Sequence, residues 1–84
     1  MYEVYIEQSA ERDLKRLSKE TFYRIASRIR ALADNPRPRG CVKIRGSKSD
    51  WRIRVGDYRV IYEVDDKTKK VWVMSVKERG KAYI

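Results

Sequence analysis

The sequence predicts an α+β domain in the order β-α-α-β-β-β-β, a twisted, mainly antiparallel sheet with both helices packed on one face. Three observations lead there. Two alternating runs, Trp51–Val55 and Tyr58–Val64, flank Gly56-Asp57, a two-residue turn of the kind that closes a hairpin. Residues 9–33 carry apolar positions at helical spacing and end at Asn35-Pro36-Arg37-Pro38, where proline stops the ladder. Every apolar run after that point has strand length, so helices and strands are segregated along the chain.

Taken in order, Tyr2-Glu3-Val4-Tyr5-Ile6-Glu7 alternates and predicts a first strand with Val4 and Ile6 buried. Ser9 is placed to cap a short helix bearing Ala10, Leu14 and Leu17, and Ser18 to cap a second bearing Phe22, Ile25, Ile29 and Leu32. Cys41–Arg45 reads as a strand and 46–50 as a connecting turn. Lys70–Lys77 is apolar enough to predict a central strand buried on both faces. The 84 residues hold no repeat or linker, so one domain spans 1–84.

Composition bounds the function. Lysine and arginine number 21 against 12 acidic residues, a net charge of +9 that favours a polyanionic partner. No apolar run approaches the roughly 20 residues that span a bilayer, so no membrane role is expected. The N-terminus lacks the signal-peptide pattern and Cys41 is the single cysteine, which together suggest a reducing cytoplasm. With no histidine, neither a metal site nor a cofactor is expected.

The hairpin has one informative consequence. A two-residue loop pairs Val55 with Tyr58, Arg54 with Arg59, Ile53 with Val60 and Trp51 with Tyr62. One face is then an apolar wall and the other carries Arg52, Arg54 and Arg59. Like charges directly opposite on a sheet cost from a few tenths to about 1 kcal/mol. Folding does not require this arrangement, and an anion such as phosphate would relieve it. The bland alternatives are a solvated sheet face balanced by Glu63, a surface Arg79–Glu78 pair, and Tyr83 as a terminal anchor. Trp51, Tyr58, Tyr62 and Trp72 read as core rather than as base-stacking rings.

The ordered set Lys43-Ile44-Arg45-Gly46, Trp51-Arg52-Ile53-Arg54-Val55-Gly56-Asp57-Tyr58-Arg59-Val60-Ile61-Tyr62-Glu63-Val64, then Arg79 and Tyr83, resembles the RelE/ParE superfamily of toxins from toxin–antitoxin pairs. The resemblance runs over nearly the whole chain. The RelE branch implies a ribosome-dependent, metal-independent mRNA endonuclease: a ribose 2′-hydroxyl attacks the adjacent phosphate, leaving a 2′,3′-cyclic phosphate. It implies catalytic roles for Arg52, Arg54, Arg59, Arg79 and Tyr83. Arg59 would hold the scissile phosphate, Arg79 would serve the leaving 5′ oxygen and Tyr83 would stack on a message base. Lys43, Arg45, Lys48, Lys77 and Lys81 are the expected RNA contacts. Arginine at both central-strand positions leaves the general base open, since guanidinium keeps its proton; Lys43, Lys48, Lys77 or a ribosomal group could supply it. The implied partners are a RelB-like antitoxin, in an assembly that a heterotetramer would satisfy, together with the ribosome and mRNA. Two alternatives stand: the ParE branch, which inhibits gyrase without nuclease chemistry, and a non-catalytic nucleic-acid-binding module.

Overall fold

The structure, a computed structural model, describes residues 1–79. The chain forms β1 (Glu3–Ile6), α1 (Gln8–Lys15), α2 (Lys19–Ala31), β2 (Val42–Lys43), β3 (Asp50–Val55), β4 (Tyr58–Asp65) and β5 (Lys70–Glu78). The sheet order is β1-β5-β4-β3-β2; β1 runs parallel to β5 and the other neighbours are antiparallel. The predicted hairpin register is the one observed, from Val55 opposite Tyr58 to Trp51 opposite Tyr62. Gly56 has φ +60°, and Asp57 is not left-handed, the pattern of a type II′ turn with glycine first.

Ile53, Val55, Val60, Tyr62, Val64, Val71, Val73 and Val76 make the buried face, closed by Ala10, Ile25, Ile29 and Leu32 from the helices. Each large aliphatic side chain so buried contributes about 1.5–3 kcal/mol of transfer free energy. Tyr62 is completely buried and its hydroxyl donates to the Pro36 carbonyl oxygen at 2.7 Å. This bond ties the loop after α2 to the centre of the sheet, and burial pushes the phenol's pKa up.

Four expectations change. Ile6 is 41% exposed and Phe22 36%. With Val4, Leu14, Ala26, Ile29 and Ala33 they line an apolar groove of about 320 Å³, because β1 and α2 do not close over each other there. β5 is interior to the sheet but buried on one face only, since both helices lie on the same side; Trp72 and Ser75 on the other face are half-buried. The strand expected over 41–45 is only Val42–Lys43, because the chain turns at once, Ser47 N–H donating to the Ile44 carbonyl at 3.2 Å. Ser18 caps α2, accepting from Thr21 N–H, but α1 starts after Glu7 and Ser9 lies inside it.

Ser9 has a different task. β1 pairs with β5 only over Lys70–Val73, leaving the rest of that edge without a strand. Glu7 N–H donates to the Val73 carbonyl at 2.9 Å, Ser9 Oγ donates to the Met74 carbonyl at 2.6 Å, and Val76 N–H donates to Asp13 Oδ2 at 2.9 Å. Side chains at i and i+4 of α1 thus stand in for a neighbouring strand. Asp13 is 7% exposed, and its Oδ1 accepts from Lys77 Nζ at 2.8 Å. Asp13→Ala should destabilise the domain by about 1–3 kcal/mol, the cost of a buried N–H left unpaired. Asp13→Asn, which keeps an acceptor, should cost less. Urea unfolding of the two variants checks the difference.

A second tie joins the far end. Arg37 donates to both carboxylate oxygens of Asp66, at 3.2 and 2.7 Å, and Tyr2 Oη donates to Asp66 Oδ1 at 2.6 Å. The Arg37 guanidinium also lies 5.1 Å from the Trp51 ring centroid. The Arg37 hydrogen bond, then that of Tyr2, holds the Asp66 carboxyl at about 2. A carboxyl with a folded value below its unfolded one, about 3.9, stabilises the fold above that pH. Its contribution is lost as pH falls through about 2. Asp66→Asn should therefore be the less stable protein at pH 5 and converge on the wild type near pH 2, read as urea midpoints against pH.

Candidate nucleic-acid interface

Residues directly opposite on neighbouring strands share a face, so the register lays out the surface that the helices leave uncovered. At the hairpin end, Arg54 stands opposite Arg59 and Arg59 opposite Lys77, three cations in line across β3, β4 and β5. One row further along are Val42, Arg52, Ile61 and Ser75. Next come Asp50, Glu63, Trp72 and Tyr5. The positive charge is therefore concentrated toward the turn, while carboxylates enter at the opposite end.

Arg54 is exposed; Arg52 and Arg59 are half-buried, flanked by strands on both sides. Lys77 is fixed by its ion pair with Asp13, whose other oxygen is bound to the β5 backbone. A Cβ on Gly56 would stand 3.2 Å from Arg24 Nη2, and the positive φ already disfavours any other residue there. Arg79 arrives at the same end, because its N–H donates to the Asp57 carbonyl at 2.6 Å.

Of the expected site residues, the structure brings Arg54, Arg59, Lys77 and Arg79 to the turn, with Arg52 one row behind. Lys43, Arg45 and Arg52 line a hollow of about 450 Å³ beside them. Lys48 is exposed in the β2–β3 connection, at the opposite end of β3 from the arginine row. Lys81 and Tyr83 lie outside the described residues. Two features escaped the sequence reading. Asp13 orients Lys77, and its only sequence signal is the Ser9/Asp13 spacing on a polar helix face. Trp72 lies on the uncovered face, stacked on Tyr5, rather than in the core. In physical terms the surface gathers several charge-bearing donors on the face that the helices leave uncovered, the kind of group that meets a phosphodiester.

This fold and this face define a toxin of a type II toxin–antitoxin system. The chain belongs to the RelE/ParE superfamily: the family described as the ParE toxin of the type II toxin–antitoxin system parDE matches residues 4–83. Among solved structures, it is 33% identical to a chain of the archaeal RelE–RelB complex from Pyrococcus horikoshii OT3. The TM-score is 0.84, covering 95% of this chain and 97% of that one. It is 26% identical to a chain of the toxin–antitoxin complex RelBE2 from Mycobacterium tuberculosis, with TM-score 0.82 over 93% and 98% of the two chains. The isolated E. coli RelE toxin, 21% identical with TM-score 0.83 over 99% of this chain and 89% of that one, shares the fold. A search of curated protein sequences gave no match.

Proposed function

We propose that this toxin is a ribosome-dependent endoribonuclease that stops translation by cutting message in the decoding site. The observation that carries the proposal is the row Arg54–Arg59–Lys77, with Arg52 behind it, crowded onto the face the helices do not cover. A ribose 2′-hydroxyl attacks the adjacent phosphorus, the bond to the 5′ oxygen breaks, and a cyclic 2′,3′-phosphate and a 5′-hydroxyl result. Charge grows on the phosphate oxygens during attack, and fixed guanidinium donors favour that state over the ground state. Arg59 has cations on both sides and is the residue to hold the scissile phosphate; Arg79 serves the leaving oxygen and Tyr83 the base. The Lys77 ammonium donates to Asp13, an arrangement that suits a phosphate contact better than a proton acceptor. Proton abstraction then falls to Lys43 or a ribosomal group.

The partner is an antitoxin carrying acidic residues where it meets this surface, covering the arginine row or displacing the segment from Arg79 to Tyr83. The structural relatives from P. horikoshii and M. tuberculosis were solved as toxin–antitoxin complexes, which supports such a partner. The site of action is the cytoplasm, where ribosome and message meet.

The family match to ParE favours one other reading, inhibition of gyrase by binding alone. Mapping of 5′ ends on translated message, run beside a gyrase supercoiling assay, separates the two. New 5′ ends with normal supercoiling support the nuclease. Intact message with blocked supercoiling replaces it with the ParE reading.

A further inference from the structure

We propose that the stacked Tyr5–Trp72 pair is a base-stacking platform for single-stranded RNA whose phosphates are held by the arginine row. The inference rests on the reading that this face takes RNA.

The rings lie 4.6 Å apart between centroids at an interplanar angle of 20°, across the β1–β5 pairing. Their neighbours Val71 and Val73 point into the core, so the pair faces the opposite, uncovered side. Tyr5 is 36% exposed and Trp72 half-buried, and among the described residues no second layer lies on that face.

Charge around the pair selects what lies on it. Glu63 is directly opposite Trp72, and Asp50 is opposite Glu63, so a phosphate is repelled at this row. A base is neutral and is not. Beyond the rings, Lys70 Nζ lies 5.7 Å from the Tyr5 centroid. The face thus runs from a cationic row to an aromatic pair bordered by carboxylates, and Lys70 beyond it stands opposite Glu3 and Asp65. Four residue steps along β4 lead from Arg59 to Glu63, about 13 Å of strand. A strand of RNA crossing the face meets phosphate donors, then a stacking surface. Aromatic stacking tolerates any base, so the platform fixes the register of the strand on the sheet rather than a sequence.

The test compares labelled oligoadenylate with an abasic oligoribonucleotide of equal length, by fluorescence anisotropy on the full chain. The wild type is expected to bind the base-bearing strand about ten-fold more tightly. Trp72→Val is expected to collapse that ratio to about one, while Trp72→Phe keeps most of it. In Trp51→Phe, where Trp72 is the remaining tryptophan, oligoadenylate should quench its emission and the abasic strand should not. A wild type without base preference, or a preference that survives in folded Trp72→Val, overturns the platform. If Trp72→Val does not fold, the quenching decides. Arg59→Ala should weaken both strands alike. If it binds both as the wild type does, the arginine row is at fault, and the wild-type base preference still judges the platform.

Discussion

Arg59→Ala is expected to lower the rate of message cleavage on the ribosome by about 10²–10³-fold, the loss typical of removing one preorganised donor from a desolvated site. Arg59 is half-buried between two cations, Arg54 on β3 and Lys77 on β5, which places it at the centre of the row. Arg59→Lys should recover only part of the activity. An ammonium restores the charge but not the planar pair of donors that grips two phosphate oxygens. The effect belongs in single-turnover rate at saturating ribosome rather than in binding, because the donor matters most where charge has grown. Primer extension over time on a translating message reads it. Undiminished cleavage by Arg59→Ala would remove this residue from the site.

The largest effect on stability is expected at Tyr62. Tyr62→Ala should cost about 3–5 kcal/mol, the range for emptying a large aromatic site in a packed core. Native domains have about 5–15 kcal/mol in all, so this single substitution removes a large share of the margin. Tyr62→Phe should cost about 1–3 kcal/mol, since it leaves the Pro36 carbonyl without its donor while keeping the ring. Urea denaturation gives both values, with a shifted midpoint and an unchanged slope as the signature of lost stability alone.

The register of the arginine row was legible because strand alternation has period two and the Gly56-Asp57 turn leaves no freedom to slip. Helix existence and order were legible for a similar reason, the recurrence of Ile25, Ile29 and Leu32 at helical spacing. What a periodicity does not contain is where a second layer stops. Trp72 looked like core because Val71, Trp72 and Val73 are all apolar, yet only alternate members have a helix above them. Ile6 and Phe22 belong to apolar stripes but diverge from one another, an outcome of how far α2 stands from β1. Ser9 resembled a cap by type and position. Its hydroxyl is used instead on a strand 65 residues away in the chain, a pairing no local pattern announces. Asp13 is hidden for the same reason.

That use of α1 has a bearing on how the free toxin avoids sticking to itself. A nine-residue strand with half its rim open is a template on which a second molecule could add a strand, and the usual remedies are proline, a bulge or a lysine at the margin. Here a helix supplies the hydroxyl and carboxylate that use up the very groups an incoming backbone would seek. That margin of the sheet is thereby occupied by two side chains of α1 and the Glu7 amide.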